Sequence, residues 1–512
     1  MQPEKLYDNY FKITFLILVI LETLSFLGHS INLVNSLIFF LLIIGTLIVG
    51  LWRLEYGFWI LTAELITGSF GYLFYYDMSN FRISIRLGLF LAVFVAWAVN
   101  AIREKKIVFK NSNLFWPLTI FVIFIAWGIV SGIIHHNILK NVFFDVNAYL
   151  FFGLIFIAYQ VVNSYKKIIA FFKIMLASLT LISLKTFFLL FYFSHQTKED
   201  LIRLVYTWVR DTRVGEIAGI SGNYSRIFFQ SHIWCVFALL IIIIFLILYK
   251  NDELKRKNRT FLFIMLFLNS TTLIISFSRS LWLALAVSFV LLLVYLIFKE
   301  KLGIKSLGKI ALISLIIIII NLATITFLVN IKIPGSKANQ ISTGSLIKDR
   351  ITQTEEAALV SRYDLLKPLA SKVMENPVMG SGFGTTVSYK SSDPRTKNVN
   401  GGIYTSYAFE WGYLDIAIKI GMLGLIVYLY FIWRIFSNCL KLMKITKFRI
   451  VYLLVLGLIF SLIALLVTHA TTPYLNHPLG IFLIVIAAAF SDFLIKQNLI
   501  DSEIESAPKS ID

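Results

Sequence analysis

Apolar runs of about twenty residues, the length needed to cross a bilayer as helix, alternate along this chain with short polar breaks. Such windows predict spans near 10–28, 33–51, 56–76, 83–102, 114–133, 142–162, 168–193, 227–249, 260–277, 281–298, 308–330, 411–433, 449–469 and 478–495. The pattern predicts an all-α polytopic membrane protein of about 14 transmembrane helices, since backbone in hydrocarbon must satisfy its own hydrogen bonds. The first run does not read as a cleavable signal: Met1 to Lys12 is mixed in charge, the run is long, and no small-residue cleavage site follows.

Two polar stretches exceed an ordinary connection, about 195–226 and 331–410, and loops beyond about 12 to 15 residues are usually functional. The chain therefore divides into N-terminal helices (1–193), a basic loop (194–226), central helices (227–330), a large loop subdomain (331–410), C-terminal helices (411–495) and a tail (496–512). Within the large loop, Leu359 to Met374 predicts an amphipathic helix stopped by Asn376-Pro377, because the residue before proline disfavours helix. The acidic end, Asp501 to Asp512, reads as a disordered tail.

Composition strengthens the membrane assignment. The chain is 58% hydrophobic and 15% charged, whereas soluble domains are about 45 to 50% apolar. Cys235 and Cys439 lie far apart in apolar runs, and no HExxH, CxxC or EF-hand spacing occurs, so neither a metal site nor a cofactor is expected. The net charge of +19 is unevenly spread. Loops sharing a side with the N-terminus, such as Arg103–Lys106, Lys255–Arg259 and Lys441–Arg449, give that side roughly 25 cations. The short loops opposite hold about four, Arg82, Arg86, Lys140 and Arg279. Both termini are then cytoplasmic, and the two long loops lie on the outer face. The cytoplasmic segments are too short for a nucleic-acid-binding domain, so no nucleic acid partner is expected.

The outer loops collect Arg203, Arg210, Arg213, Arg226, Arg279, Arg350, Arg362 and Arg395, and guanidinium matches phosphate oxygens in charge and geometry. Arg203, Arg350 and Arg395, taken singly, read as solvated loop charges. Arg226 and Arg279 read as phosphate-binding, because each begins or interrupts an apolar run, where a cation costs roughly 2.5 to 3.5 kcal/mol at helix centre. Gly380-Ser381-Gly382-Phe383-Gly384 resembles a nucleotide-binding glycine motif but lacks the framing strand and helix; a turn after Asn376-Pro377 that lets backbone approach the membrane or a ligand is the better reading. Glu410 opens the helix from Trp411 to Trp433 and suits either a base for a sugar hydroxyl or a carboxylate at a helix N-terminus. Asp415 and Lys419 are spaced to pair, and with Glu64, Asp145 and Lys185 they read as structural.

Taken in order, these pieces resemble the O-antigen polymerase and ligase family of bacterial envelope glycosyltransferases. The resemblance rests on Gly219-Ile220-Ser221-Gly222-Asn223-Tyr224-Ser225-Arg226, Ser276 to Trp282, Asn376 to Gly384, Glu410 to Gly424 and Thr472-Pro473-Tyr474-Leu475, and covers roughly residues 213–478. It implies a fold like that of the C-type glycosyltransferases and a metal-independent transfer of glycan from undecaprenyl pyrophosphate, on the outer face of the cytoplasmic membrane. The partners it implies are that lipid-linked donor, a glycan acceptor, membrane lipids and a chain-length regulator. Arg226 and Arg279 would clamp the pyrophosphate, with Arg213 and Arg362 as further donors and Arg210 and Tyr224 beside them. Ligases of the family carry a histidine about eleven residues before a glycine of the helix after the large loop. Here Glu410 stands at that distance from Gly421, which favours a polymerase with Glu410 as base over a lipid A core ligase. A lipid-linked oligosaccharide flippase is the reading from another class, although transporters of that kind usually show repeated halves with charge near the midplane.

Overall fold

The computed structural model describes residues 6–78, 81–195, 199–221, 224–249, 256–332, 357–391 and 400–506. Among them, twelve helices are long and apolar enough to cross a membrane. The protein is an all-α polytopic membrane protein with three two-stranded hairpins. Two of the fourteen predicted runs form shorter helices, Leu54–Thr67 and His232–Leu248. Contacts divide the chain into two compact units.

The first unit comprises 1–106, 160–350 and 449–464. It holds α1 (Asn9–Gly28), α2 (Asn32–Trp52), α3 (Leu54–Thr67), the β1–β2 hairpin (Tyr75–Met78, Phe81–Ser84) and α4 (Ile85–Glu104). After them come α8 (Tyr165–His195), α9 (Glu199–Asp211), the β3–β4 hairpin (Glu216–Ser221, Tyr224–Phe228), α10 (His232–Leu248), α11 (Arg256–Ile275), α12 (Arg279–Phe298) and α13 (Ile304–Asn330). Helix α2 packs on α4, α1 and α3 on α8, and α10 on α11. The span predicted at 56–76 stops at Thr67 because Gly68 turns there and Arg86 pulls the turn inward. The Arg86 guanidinium donates from Nε to Glu64 at 2.9 Å and from Nη1 to the Ser69 carbonyl at 2.7 Å. Arg86 is thus no loop cation, as the charge count supposed: it is 3% exposed inside α4 and carries the counter-ion of Glu64. Lys185 pairs likewise with Glu22 at 2.7 Å, and Lys173 with Asp8 at 2.6 Å, so charges in apolar helices are matched pairwise. The run predicted from 227 begins as helix only at His232, because residues 224–228 are drawn into β4.

The second unit comprises 107–159, 351–448 and 465–512. Its elements are α5 (Phe115–Ile134), α6 (Leu139–Asn147) continued by a tight turn into α7 (Leu154–Val161), α14 (Ala357–Glu375) and the β5–β6 hairpin (Val387–Lys390, Ile403–Ser406). They are followed by α15 (Gly412–Ile445), the end of α16 (Arg449–His469) and α17 (Pro478–Ser506). Leu139–Val161 forms one broken span in place of the continuous helix predicted at 142–162. Helix α15 packs on α5 and α17, with Tyr428 stacked on Phe121 at 4.2 Å between centroids. The helix predicted at 359–374 is α14, ending where Asn376-Pro377 required.

Candidate functional site

Of the candidate residues, the structure groups Tyr224 and Arg226 with the α11–α12 junction. Helix α11 ends at Ile275, three residues turn, and α12 begins at Arg279. Phe277, at the middle of the turn, has a φ of 47°. That left-handed conformation is uncommon for an aromatic residue and needs support from its surroundings. Serine and tryptophan side chains supply it: Ser276 Oγ donates to the Leu273 carbonyl at 2.7 Å, and the Trp282 indole donates to the same carbonyl at 2.7 Å. The polar break in the apolar run is therefore a set of local substitutes for lost helix hydrogen bonds. Strand β4 braces it from the side. Arg226 donates from Nε to the Ser276 carbonyl at 2.9 Å, and the buried Tyr224 ring packs on Phe277 at 5.0 Å. Arg226 is thereby fixed to the turn that begins α12 with Arg279, at a helix end whose dipole is itself positive.

The other basic-loop candidates stand elsewhere in the same unit. Arg213 has a φ of 48° and sets its guanidinium 5.3 Å from the centre of the Tyr72 ring. Arg210 pairs with Asp211 at 2.9 Å. Both line a cavity of 270 Å³ with Phe70, Tyr206, Gly215 and Glu216.

In the second unit, α14 brings Arg362 to Glu410, and the two side chains form an ion pair. The Glu410 carboxylate, for which a helix N-terminus was one reading, goes to this guanidinium. The Trp411 indole donates to the Arg362 carbonyl at 2.9 Å, so the side chain next to Glu410 holds the backbone of Arg362 as well. Pair members are 38% and 50% exposed, which leaves both within reach of a ligand.

Below that pair, the glycine segment enters between helices. Ser381 N–H donates to the Ile418 carbonyl at 2.7 Å and Phe383 N–H to the Gly128 carbonyl at 2.9 Å, while Met422 N–H donates back to the Pro377 carbonyl at 2.9 Å. Gly421, with φ 76° and ψ 172°, breaks α15 there, and a Cβ on it would collide with the Val378 carbonyl. The segment approaches neither membrane nor ligand as expected but the backbones of α5 and α15. Lys419, 3% exposed, bridges Asp145 and Asp415 at 2.7 Å each, and Asp145 accepts from Gly384 N–H at 2.7 Å. The sequence marks Asp145 as structural without naming its partner, because Lys419 lies 274 residues away, beyond any local pattern. Thr472 to Leu475 caps the same unit, the Leu475 carbonyl accepting from Tyr428 at 2.7 Å.

The sequence model of a family described as O-antigen ligase matches residues 260–429. The matched region, about a third of the chain, is thus similar to that family. No curated protein matches the chain.

The match supports the O-antigen ligase and polymerase family, as the ordered motifs implied. The matched region contains Arg279, Arg362, Glu410 and the glycine segment, whereas Arg210, Arg213, Tyr224 and Arg226 precede it. Arg350, Arg395, Gly222 and Asn223 lie outside the described residues. Among the described residues, no cluster of three or more His, Cys, Asp or Glu side chains could hold a metal ion.

Proposed function

We propose that this integral membrane protein is a polysaccharide polymerase of the bacterial cytoplasmic membrane. It transfers a growing glycan from undecaprenyl pyrophosphate to a lipid-linked repeat unit on the outer face, with both termini cytoplasmic. The observation that carries the reading is the hydrogen bond from Arg226 to the Ser276 carbonyl, which holds one guanidinium against the turn that begins α12 with another. Two guanidinium groups beside a helix N-terminus suit a diphosphate. In the transfer, the acceptor hydroxyl oxygen bonds to the anomeric carbon as the bond from that carbon to the pyrophosphate oxygen breaks. The electron pair leaves with the pyrophosphate, whose developing charge Arg226 and Arg279 stabilise. Glu410, held by Arg362, takes the hydroxyl proton. Arg210 and Arg213 contribute further positive charge to binding, and Tyr224 supports the site through Phe277. The further partners are membrane lipids and a regulator of chain length.

Arg279→Ala is expected to abolish polymer while the protein remains in the membrane, measured by glycan gels against an immunoblot of the membrane fraction. Full-length polymer from a normally expressed variant would overturn the role. The description of the matching family favours a second reading, ligation to lipid A core or another final acceptor. Analysis of the product separates the two: polymer lengthened on its lipid carrier supports the polymerase, transfer to the final acceptor the ligase. Movement of lipid-linked repeats across vesicles without either product would support a flippase instead.

A further inference from the structure

Helix α14 has an outer face that protein packing does not account for. Its inner side is ordinary: Leu365, Leu369 and Val373 are buried, and the helix packs on α15 and β5. On the other side Tyr363, Leu366, Ala370 and Met374 recur at helical spacing and all stand exposed. Tyr363 is 59% exposed and Met374 73%, and beyond the helix Val378 continues the apolar line. Lys367 lies within this stripe, where a long aliphatic stem can cover apolar surface while its amine reaches water.

What covers the stripe follows from where the chain goes next. Six residues past Met374, the glycine segment is hydrogen-bonded to α5 and α15, both long enough and apolar enough to span a bilayer. Its bond to Gly128 lies six residues, about 9 Å of helix, inside the end of α5 at Ile134. Nearer still, Met379, five residues past Met374, accepts from the Trp127 indole of α5 at 2.9 Å, and five residues of chain reach about 17 Å at most, so Met374 stands close to the membrane surface. An amphipathic helix tethered there, with an apolar stripe and a snorkelling lysine, matches an interfacial helix.

We propose that α14 lies in the interfacial layer of the bilayer, with its Tyr363–Leu366–Ala370–Met374 face among lipid headgroups and upper acyl chains. The bilayer then fixes the depth of Arg362 and its partner Glu410. This inference stands on packing and tethering and is independent of the reaction assigned above.

The test places a bimane fluorophore at Met374→Cys, and separately at Leu366→Cys, in the full chain reconstituted in phosphatidylethanolamine–phosphatidylglycerol nanodiscs. Cys235 and Cys439 are fully buried, so labelling is directed to the introduced thiol. Lys390→Cys, on the exposed end of β5, is the control. A face buried about 5 to 10 Å into the headgroup and acyl boundary should lose roughly half its emission to lipid carrying a doxyl group high on the acyl chain, and little to aqueous iodide. The control should show the reverse. Iodide quenching equal to the control at both stripe positions would overturn the proposal, placing the face in water. Quenching by neither agent would overturn it too, showing the face covered by protein, either another segment or a second copy.

Discussion

Arg226 meets the α12 turn through one edge of a planar group, donating from Nε to the Ser276 carbonyl. Guanidinium can make that bond and still present its terminal nitrogens, whereas an ammonium is a point charge on a flexible stem. Arg226→Lys is therefore expected to keep the positive charge and lose the brace. The loss should be about 1.5 to 3 kcal/mol, the range for a hydrogen bond to a charged group, or roughly ten- to a hundredfold in transfer rate. Initial rates with purified protein and lipid-linked repeats check this; a rate within twofold of wild type would show that charge alone suffices. Lys419 poses the opposite case, a cation whose role is to neutralise. Lys419→Met leaves Asp145 and Asp415 facing each other in a buried site, and breaking such a pair costs about 3 to 5 kcal/mol. Thermal unfolding in detergent should show a clearly lowered midpoint, and an unchanged one would mean that the two acids do not need the lysine.

At the scale of elements, hydropathy located every long helix, because the pattern it reads is local and each apolar run must span the same thickness. It placed the ends less well. Residues 68–76 and 227–228 are apolar enough to extend a span, yet Arg86 closes a turn against one and a hairpin claims the other. Helix α14 was legible from both its pattern and its stop, while the break in α15 was not. Gly421 and Gly424 suggested helix packing in general, and nothing local shows that a segment forty residues upstream will press its carbonyl against one of them. The candidate site follows the same rule: the sequence supplied Arg226, Arg279, Arg362 and Glu410 as singular charges, while the contact of Arg226 with Ser276 crosses 50 residues and that of Arg362 with Glu410 crosses 48. Gly421→Ala tests the interlock. Its φ and ψ fall in a region essentially reserved for glycine, which costs about 1 to 3 kcal/mol for another residue, and the Val378 carbonyl leaves no room for a methyl group. Faster proteolysis between α14 and α15 in the variant than in the wild type is expected, and equal rates would show that the segment is held by its other bonds.

For the whole molecule, the orientation proposed above rests on the bias of Lys and Arg between short loops. Removing Arg86 from the loop cations leaves the asymmetry larger than the sequence count gave, since a paired cation inside α4 does not belong to a loop. Lys301→Cys is expected to resist a membrane-impermeant maleimide in intact cells, while Lys140→Cys reacts. The reverse labelling would invert the topology and with it the face assigned to the reaction. Thickness makes a further demand. A straight helix of 34 residues would be about 51 Å long, well beyond the roughly 30 Å of hydrocarbon, and a rigid rod of that length must tilt steeply or deform the lipid around it. The break at Gly421 divides α15 into a short outer piece and an inner one of about 36 Å, which needs only a moderate tilt. One glycine thus lets the helix accommodate the bilayer by bending, and the protein should tolerate membranes of differing thickness by changing an angle at Gly421 while its packed helices stay in register.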